Sequence, residues 1–160
     1  KEINKEKKNL NSKIPIVVKI APDINDEEVE KISEILITNK VEAVIISNTS
    51  NVSREKLQDV QKHQKGGLSG KPIENLSNIL ISKFYSFLKN QIKIIGVGGV
   101  DSGSSAYNKF ISGASYVQLY TGMVYKGPNI VNLIKNDLAK LLLKDGVKNF
   151  TEIIGNKSKS

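Results

Sequence analysis

The chain has 160 residues, 24 Lys+Arg against 16 Asp+Glu for a formal charge of +8, and 39% hydrophobic residues, with one His, no Cys and no Trp. That length supports one domain with a sizeable core, burying roughly 70% of its unfolded surface. Without cysteine, a disulfide scaffold and Cys-ligated zinc or iron–sulfur centres are excluded; no apolar run reaches the ~18–20 residues of a membrane-spanning helix, so the composition predicts a soluble domain of a reducing compartment.

Residues 1–13 are polar and Asn/Lys-rich, and read as a linker or the exposed end of a helix. Residues 14–20 (IPIVVKI) form a β-branched run stopped by Ala21-Pro22-Asp23, which predicts a buried strand. Asp26 is the candidate N-cap of a helix reaching Thr38, with Val29, Ile32, Ile35 and Leu36 at helical spacing. AVIIS at 43–47 lacks polar alternation, as expected of a strand covered on both faces. A long connection, 48–72, carries a helical turn near 54–62 and closes with Gly66-Gly67-Leu68-Ser69-Gly70. Connections of that length inside compact domains are usually functional.

A helix is expected over 73–89, with Leu76, Leu80, Phe84 and Leu88 on one stripe. A third strand at 92–97 runs into Gly98-Gly99, a short helix covers 102–112, and a fourth strand covers 116–120. A long helix at 129–144 and a short tail helix at 151–154 follow. Four strand-then-helix units predict an α/β fold with a parallel sheet, either open and doubly wound or a (β/α)8 TIM barrel. Lys19, Ser47-Asn48-Thr49, Gly98-Gly99 and Tyr120-Thr121-Gly122 put polar and glycine residues at the carboxyl end of all four strands. Barrels build their sites along that edge, whereas an open sheet concentrates its site at one switch point. The barrel is the expected class, and four units supply half of one.

The charge excess does not point to nucleic acid. Arg54 is the sole arginine, no stretch interleaves Arg with aromatic residues, and the lysines gather at the chain ends or on helix faces, as at Lys135, Lys140 and Lys144. These read as solvated faces. His63 reads as an exposed loop residue, and neither a Ser-His-Asp set nor a carboxylate pair stands at the strand ends.

Gly96-Val97-Gly98-Gly99 follows a strand and precedes a helix, so its backbone N–H groups can face an anion. It is not G-x-G-x-x-G, because Asp101 stands where the last glycine belongs, and Gly66–Lys71 is one residue short of a P-loop with Pro72 in place of Ser/Thr. Turn chemistry alone would also explain these glycines. Tyr120-Thr121-Gly122 on the next strand adds a second set of donors, the arrangement of a barrel phosphate site, and a phosphate-bearing ligand is expected. Lys19, between Val18 and Ile20, either snorkels to solvent or places a cation over a ligand that carries or develops negative charge, such as a flavin on reduction. Asn48 and Thr49 can donate and accept, which suits an amide-rich ring such as a pyrimidine, or they cap a turn.

Five motifs in order, VKIAPD (18–23), ISNTS (46–50), GGLSGKP (66–72), GVGGVDSG (96–103) and GASYVQLYTG (113–122), resemble the class 2, quinone-dependent dihydroorotate dehydrogenases. The resemblance runs from about 14 to 155; Ser47 and Ser50 occupy positions where threonine is common. It implies an FMN-dependent (β/α)8 barrel oxidising dihydroorotate to orotate in pyrimidine biosynthesis, with a quinone reoxidising the flavin. It implies that Lys19 contacts the flavin ring and stabilises its reduced form, and that Ser47 and Gly70 line the flavin. Asn48 and Thr49 would hydrogen-bond orotate, and Gly99, Tyr120 and Thr121 would bind the FMN phosphate.

The resemblance also assigns the catalytic base, a serine, to a loop of the first half-barrel, and the quinone tunnel and membrane contact to amino-terminal helices. Residues 14–155 are therefore expected to be the carboxy-terminal half of the barrel, with 1–13 a linker and 156–160 a tail. The expected partner is the amino-terminal half-barrel, and these residues alone are expected not to turn over. The expected location is the mitochondrial inner membrane in a eukaryote, or otherwise the membrane surface facing the cytoplasm. Two alternatives stand beside this reading: a flavin-free phosphate-binding barrel enzyme, and a basic non-enzymatic binding module.

Overall fold

A computed structural model describes residues 2–52, 54–55 and 57–156. In chain order it contains α1 (Glu2–Asn9), β1 (Val17–Ile20), α2 (Asp26–Thr38), β2 (Ala43–Ile46), α3 (Glu74–Leu88), β3 (Lys93–Gly96), α4 (Gly103–Ser112), β4 (Tyr116–Val117), α5 (Thr121–Lys126) and α6 (Ile130–Lys144). Single 3-10 turns lie at Val60–His63, Lys71–Ile73 and Phe150–Ile153.

The four strands are parallel and lie side by side in the order β1-β2-β3-β4. Each crossover steps the same way, and right-handed crossovers then place their helices on one face of the sheet. An open doubly wound sheet reverses its strand order at a switch point, and this sheet has no reversal. The four units therefore form part of a (β/α)8 barrel, with the helices outside.

Alternation along the strands sets the two faces. Ile20, Val44, Ile46 and Ile94 join Val29 and Leu36 of α2 and Leu80, Ile81, Phe84 and Leu88 of α3 in the main core. Val100, Ala106, Ile130 and Ile134 form a second cluster between α4 and α6. Phe84 is fully buried, and truncating such a side chain to alanine costs about 3–5 kcal/mol. The other face carries Lys19, Ile45 and Ile95 side by side in register.

Several expectations are corrected. The buried strand at 14–20 shrinks to Val17–Ile20, with Ile14 73% and Val17 41% exposed. Pro15 has no N–H to give to a ladder, which keeps the strand from starting earlier. Three of the four residues of β2 are buried and Ile45 is partly buried. The N-cap of α2 is Asn25 rather than Asp26: its side chain accepts the Glu28 N–H at 2.9 Å and Glu28 accepts the Asn25 N–H at 2.8 Å, a capping box.

Of the two readings of residues 1–13 the structure has the helical one: α1 carries no buried residue and is tied back by a 2.7 Å ion pair between Lys7 and Glu42. The turn expected at 54–62 is one 3-10 turn at Val60–His63, with Lys56 outside the described residues. β4 ends at Val117 instead of 120, and the chain then turns into α5, which periodicity did not reveal because six residues are too few to show a stripe. Of the expected tail at 156–160, residues 157–160 lie outside the described residues.

Candidate functional site

At the carboxyl ends of the strands lies an open cavity of about 730 Å³. All eight residues singled out from the sequence line it: Lys19 from β1, Ser47, Asn48 and Thr49 after β2, Gly70 at the end of the long connection, Gly99 after β3, and Tyr120 and Thr121 around the start of α5.

Lys19 reaches the cavity because its neighbours Val18 and Ile20 face the helices, which turns Lys19 to the open face beside Ile45. The lysine is exposed rather than embedded among apolar side chains, and makes no ion pair among the described residues. Ser47 is buried, its N–H donating to the Val97 carbonyl at 3.1 Å, and the Asn48 N–H donates to the Ile20 carbonyl at 2.8 Å. Thus the turn after β2 is stitched to both neighbouring strands. Gly67 closes over it: a Cβ there would lie 1.9 Å from Thr49 Oγ1, so only glycine fits. Arg54 holds the long connection together, its guanidinium donating to the carbonyls of Lys62, Gln64 and Gly66.

The other end of the cavity is built from backbone. Gly98 and Gly99 have φ of 114° and 77°, the left-handed region that glycine tolerates best. A Cβ on Gly99 would also lie 2.4 Å from Glu74 Cβ. Among the described residues no hydrogen bond joins the Gly98, Gly99 or Thr121 N–H to a protein acceptor. Thr121 Oγ1 donates to Ser69 Oγ at 3.0 Å across the cavity.

An ion network rims this end and was not legible in the sequence. Lys71 pairs with Glu74 at 2.5 Å and with Asp101 at 3.3 Å, while Lys126 reaches the Asp101 carboxylate at 3.5 Å and its carbonyl at 3.0 Å. Burial works to raise the Asp101 carboxyl, but Lys71 and Lys126 hold it below the ordinary 3.8. The hydrogen bond to Glu74 raises Lys71 above 10.5. Lys71 could have been suspected from its place in GGLSGKP; Lys126 depends on α5.

Behind the rim, Lys109 corrects the reading that lysines on helices occupy solvated faces. It is fully buried, with Nζ 2.7 Å from Asn78 Oδ1 and 3.4 Å from the Glu74 carbonyl. Burial lowers its pKa from 10.5 to about 7, with Glu74 opposing and Lys71 reinforcing the shift. The available signal was position: Lys109 follows Ala106 by three residues on the inward face of α4. Among the described residues no cluster of His, Asp or Glu could hold a metal ion, and no helix is long and apolar enough to cross a membrane. His63 is exposed, as expected.

The family model for dihydroorotate dehydrogenase matches residues 1–142. The mitochondrial dihydroorotate dehydrogenase (quinone) of Oryza sativa subsp. japonica is 41% identical over 143 residues, covering 88% of this chain and 30% of that protein. The dihydroorotate dehydrogenase (quinone) of Idiomarina loihiensis is 46% identical over 125 residues, covering 78% and 37% respectively. The crystal structure of ligand-free DHODH from Eimeria tenella superposes with a TM-score of 0.87 at 35% identity, covering 90% of this chain and 40% of that one. The chain thus spans between 30% and 40% of the length of these proteins. The sheet order, the cavity at the strand ends and these likenesses agree that the chain belongs to the dihydroorotate dehydrogenase family, on its quinone-dependent side.

Proposed function

We propose that these residues form the FMN- and substrate-binding part of an enzyme that oxidises dihydroorotate to orotate and passes the electrons to a quinone, in de novo pyrimidine biosynthesis. The observation that carries this reading is the cavity at the carboxyl ends of the strands. In it an unpaired ammonium, an Asn-Thr pair and unpaired backbone N–H groups stand at the ends of successive strands. The donor set suits FMN: N–H groups without a protein acceptor gain most from a charged one, and a phosphate dianion offers several oxygens. FMN supplies hydride acceptance from the substrate and electron transfer to the quinone.

Gly99, Tyr120 and Thr121 would hold the phosphate, and Ser47 and Gly70 would line the ring. The Lys19 ammonium would stabilise negative charge on the bound flavin, and Asn48 and Thr49 would orient the substrate ring through paired donors and acceptors. The base that takes the C5 proton belongs to the complementary half-barrel, so these residues alone bind without turning over. Quinone access and membrane attachment belong to amino-terminal helices, at the mitochondrial inner membrane in a eukaryote; the rice relative carries the mitochondrial name.

The test is the complete barrel containing this chain, purified and titrated with FMN. Uptake with flavin absorbance at about 450 nm, followed by dihydroorotate-dependent quinone reduction, is the expected result. A colourless preparation that takes up no FMN contradicts the proposal.

A further inference from the structure

Resting on that reading of the site, we infer that Asp23 is the positioning residue for the substrate-binding turn Asn48-Thr49. Asp23 stands in the connection between β1 and α2, outside the cavity lining. Its two carboxylate oxygens are used separately: Oδ1 accepts the Ser50 hydroxyl at 2.7 Å, and Oδ2 accepts the Asn51 N–H at 2.7 Å. Ser50 is fully buried and its backbone bonds Leu68 in both directions, at 3.0 and 2.7 Å. Among the described residues Asp23 has no ion-pair partner, so its hydrogen bonds run to this one segment.

The consequence is geometric. Asn48 is fixed by its N–H on the Ile20 carbonyl, at the end of β1, and Ser50-Asn51 are fixed by Asp23 three residues later. Both anchors of the turn therefore belong to the segment that carries Lys19. The spacing between the cation and the two substrate-binding side chains is set by the Asn48 backbone bond at one end and, at the other, by the two charge-assisted bonds of Asp23, which are shorter and stronger than neutral ones. A carboxylate in this place keeps Asn48 and Thr49 in register with Lys19, so the two side chains meet the bound ring without reorganising.

The experiment compares Asp23→Ala and Asp23→Asn in the FMN-loaded, complete enzyme. Asp23→Ala is expected to weaken orotate binding, read by perturbation of the flavin absorbance, by about tenfold to a hundredfold. It should raise the KM for dihydroorotate more than it lowers kcat, with FMN affinity changed less than about threefold. Asp23→Asn recovers most of this, because its amide oxygen can accept the Asn51 N–H while its amide donates to Ser50 Oγ.

Hydrogen exchange of the Asn51 amide gives a readout independent of substrate: fast in Asp23→Ala, slow in Asp23→Asn and the parent. Orotate affinity equal to the parent's in Asp23→Ala, equal losses of FMN and orotate, or unaltered exchange at Asn51 would each overturn the inference. A parent enzyme that takes up FMN yet binds no orotate removes the proposed substrate instead. Asn51 exchange then still decides whether Asp23 fixes the turn.

Discussion

Lys109 extends from α4 to within 2.7 Å of Asn78 Oδ1 on α3, and its second acceptor among the described residues is the Glu74 carbonyl at 3.4 Å. A buried ammonium held by neutral groups makes stability depend on pH with a defined sign. Its folded pKa of about 7 lies below the ordinary 10.5, so between those values the unfolded chain binds a proton that the folded chain lacks. This group therefore makes stability rise with pH from about 7 to 10.5, and below about 7 its unfavourable contribution is constant. Lys109→Met should flatten that dependence, by on the order of 1–3 kcal/mol between pH 7 and pH 9.5, in urea unfolding at the two pH values. Asn78→Ala should destabilise by about 2–3 kcal/mol at pH 7, because it strips the ammonium of its nearest acceptor.

Gly99 combines a φ of 77° with a contact against α3 that leaves no room for a side chain. Gly99→Ala would bring Cβ to 2.8 Å from Glu74 Cα, a backbone atom that cannot swing aside. The expected cost is about 2–4 kcal/mol from strain and overpacking together, measured by chemical denaturation. FMN uptake should fall with it, since the Gly98-Gly99 turn carries the unpaired N–H groups.

For Lys19 the prediction separates binding from chemistry. In the FMN-loaded complete enzyme, Lys19→Met should keep FMN to within a few-fold while slowing flavin reduction by about a hundredfold or more. Rapid-mixing measurements under anaerobic conditions, following the flavin absorbance, give the rate. Reduction at the parent rate would remove Lys19 from the charge-stabilising role.

Thr121 offers a ligand-based discrimination. Thr121→Val removes the hydroxyl that bridges to Ser69 while keeping the shape. The affinity for FMN should drop by roughly tenfold, with riboflavin, which lacks the phosphate, bound as before. Equal losses for both flavins would place Thr121 against the ring instead.

What could be read from the sequence depended on which force dominates locally. α2, α3 and α6 were visible because a long apolar stripe at helical spacing survives any error at the ends. The strand expected at 14–20 is shorter in the structure, Val17–Ile20, because Pro15 has no N–H for a ladder, which a β-branched run does not reveal by itself. The cavity was legible where chemistry sits beside a strand end, as at Lys19, Asn48 and Gly99. It was not legible at Asp101 and Lys126, whose partners Lys71 and Asp101 are 30 and 25 residues away in the chain. For Lys109 the letters gave only its place three residues after Ala106 on α4; the acceptors that let it be buried, Asn78 and Glu74, belong to the neighbouring helix.

The simple order of the sheet governs how the chain can assemble. Partners in β1 and β2 are 26 residues apart, as at Val17 and Ala43, and those in β3 and β4 are 21 apart, as at Ile95 and Tyr116. The β2–β3 pairing spans 50 residues, from Ala43 to Lys93, because the loop bearing Arg54 and Gly67 intervenes. Doubling a loop adds only about 0.6 kcal/mol of closure entropy, yet pairing between distant residues also slows folding. Two quick local units, joined by one slower docking of β3 on β2, is the order of events this topology favours. That docking step closes the long connection, so the Asn48-Thr49 turn and its Gly67 lid take their final form only when the two units meet.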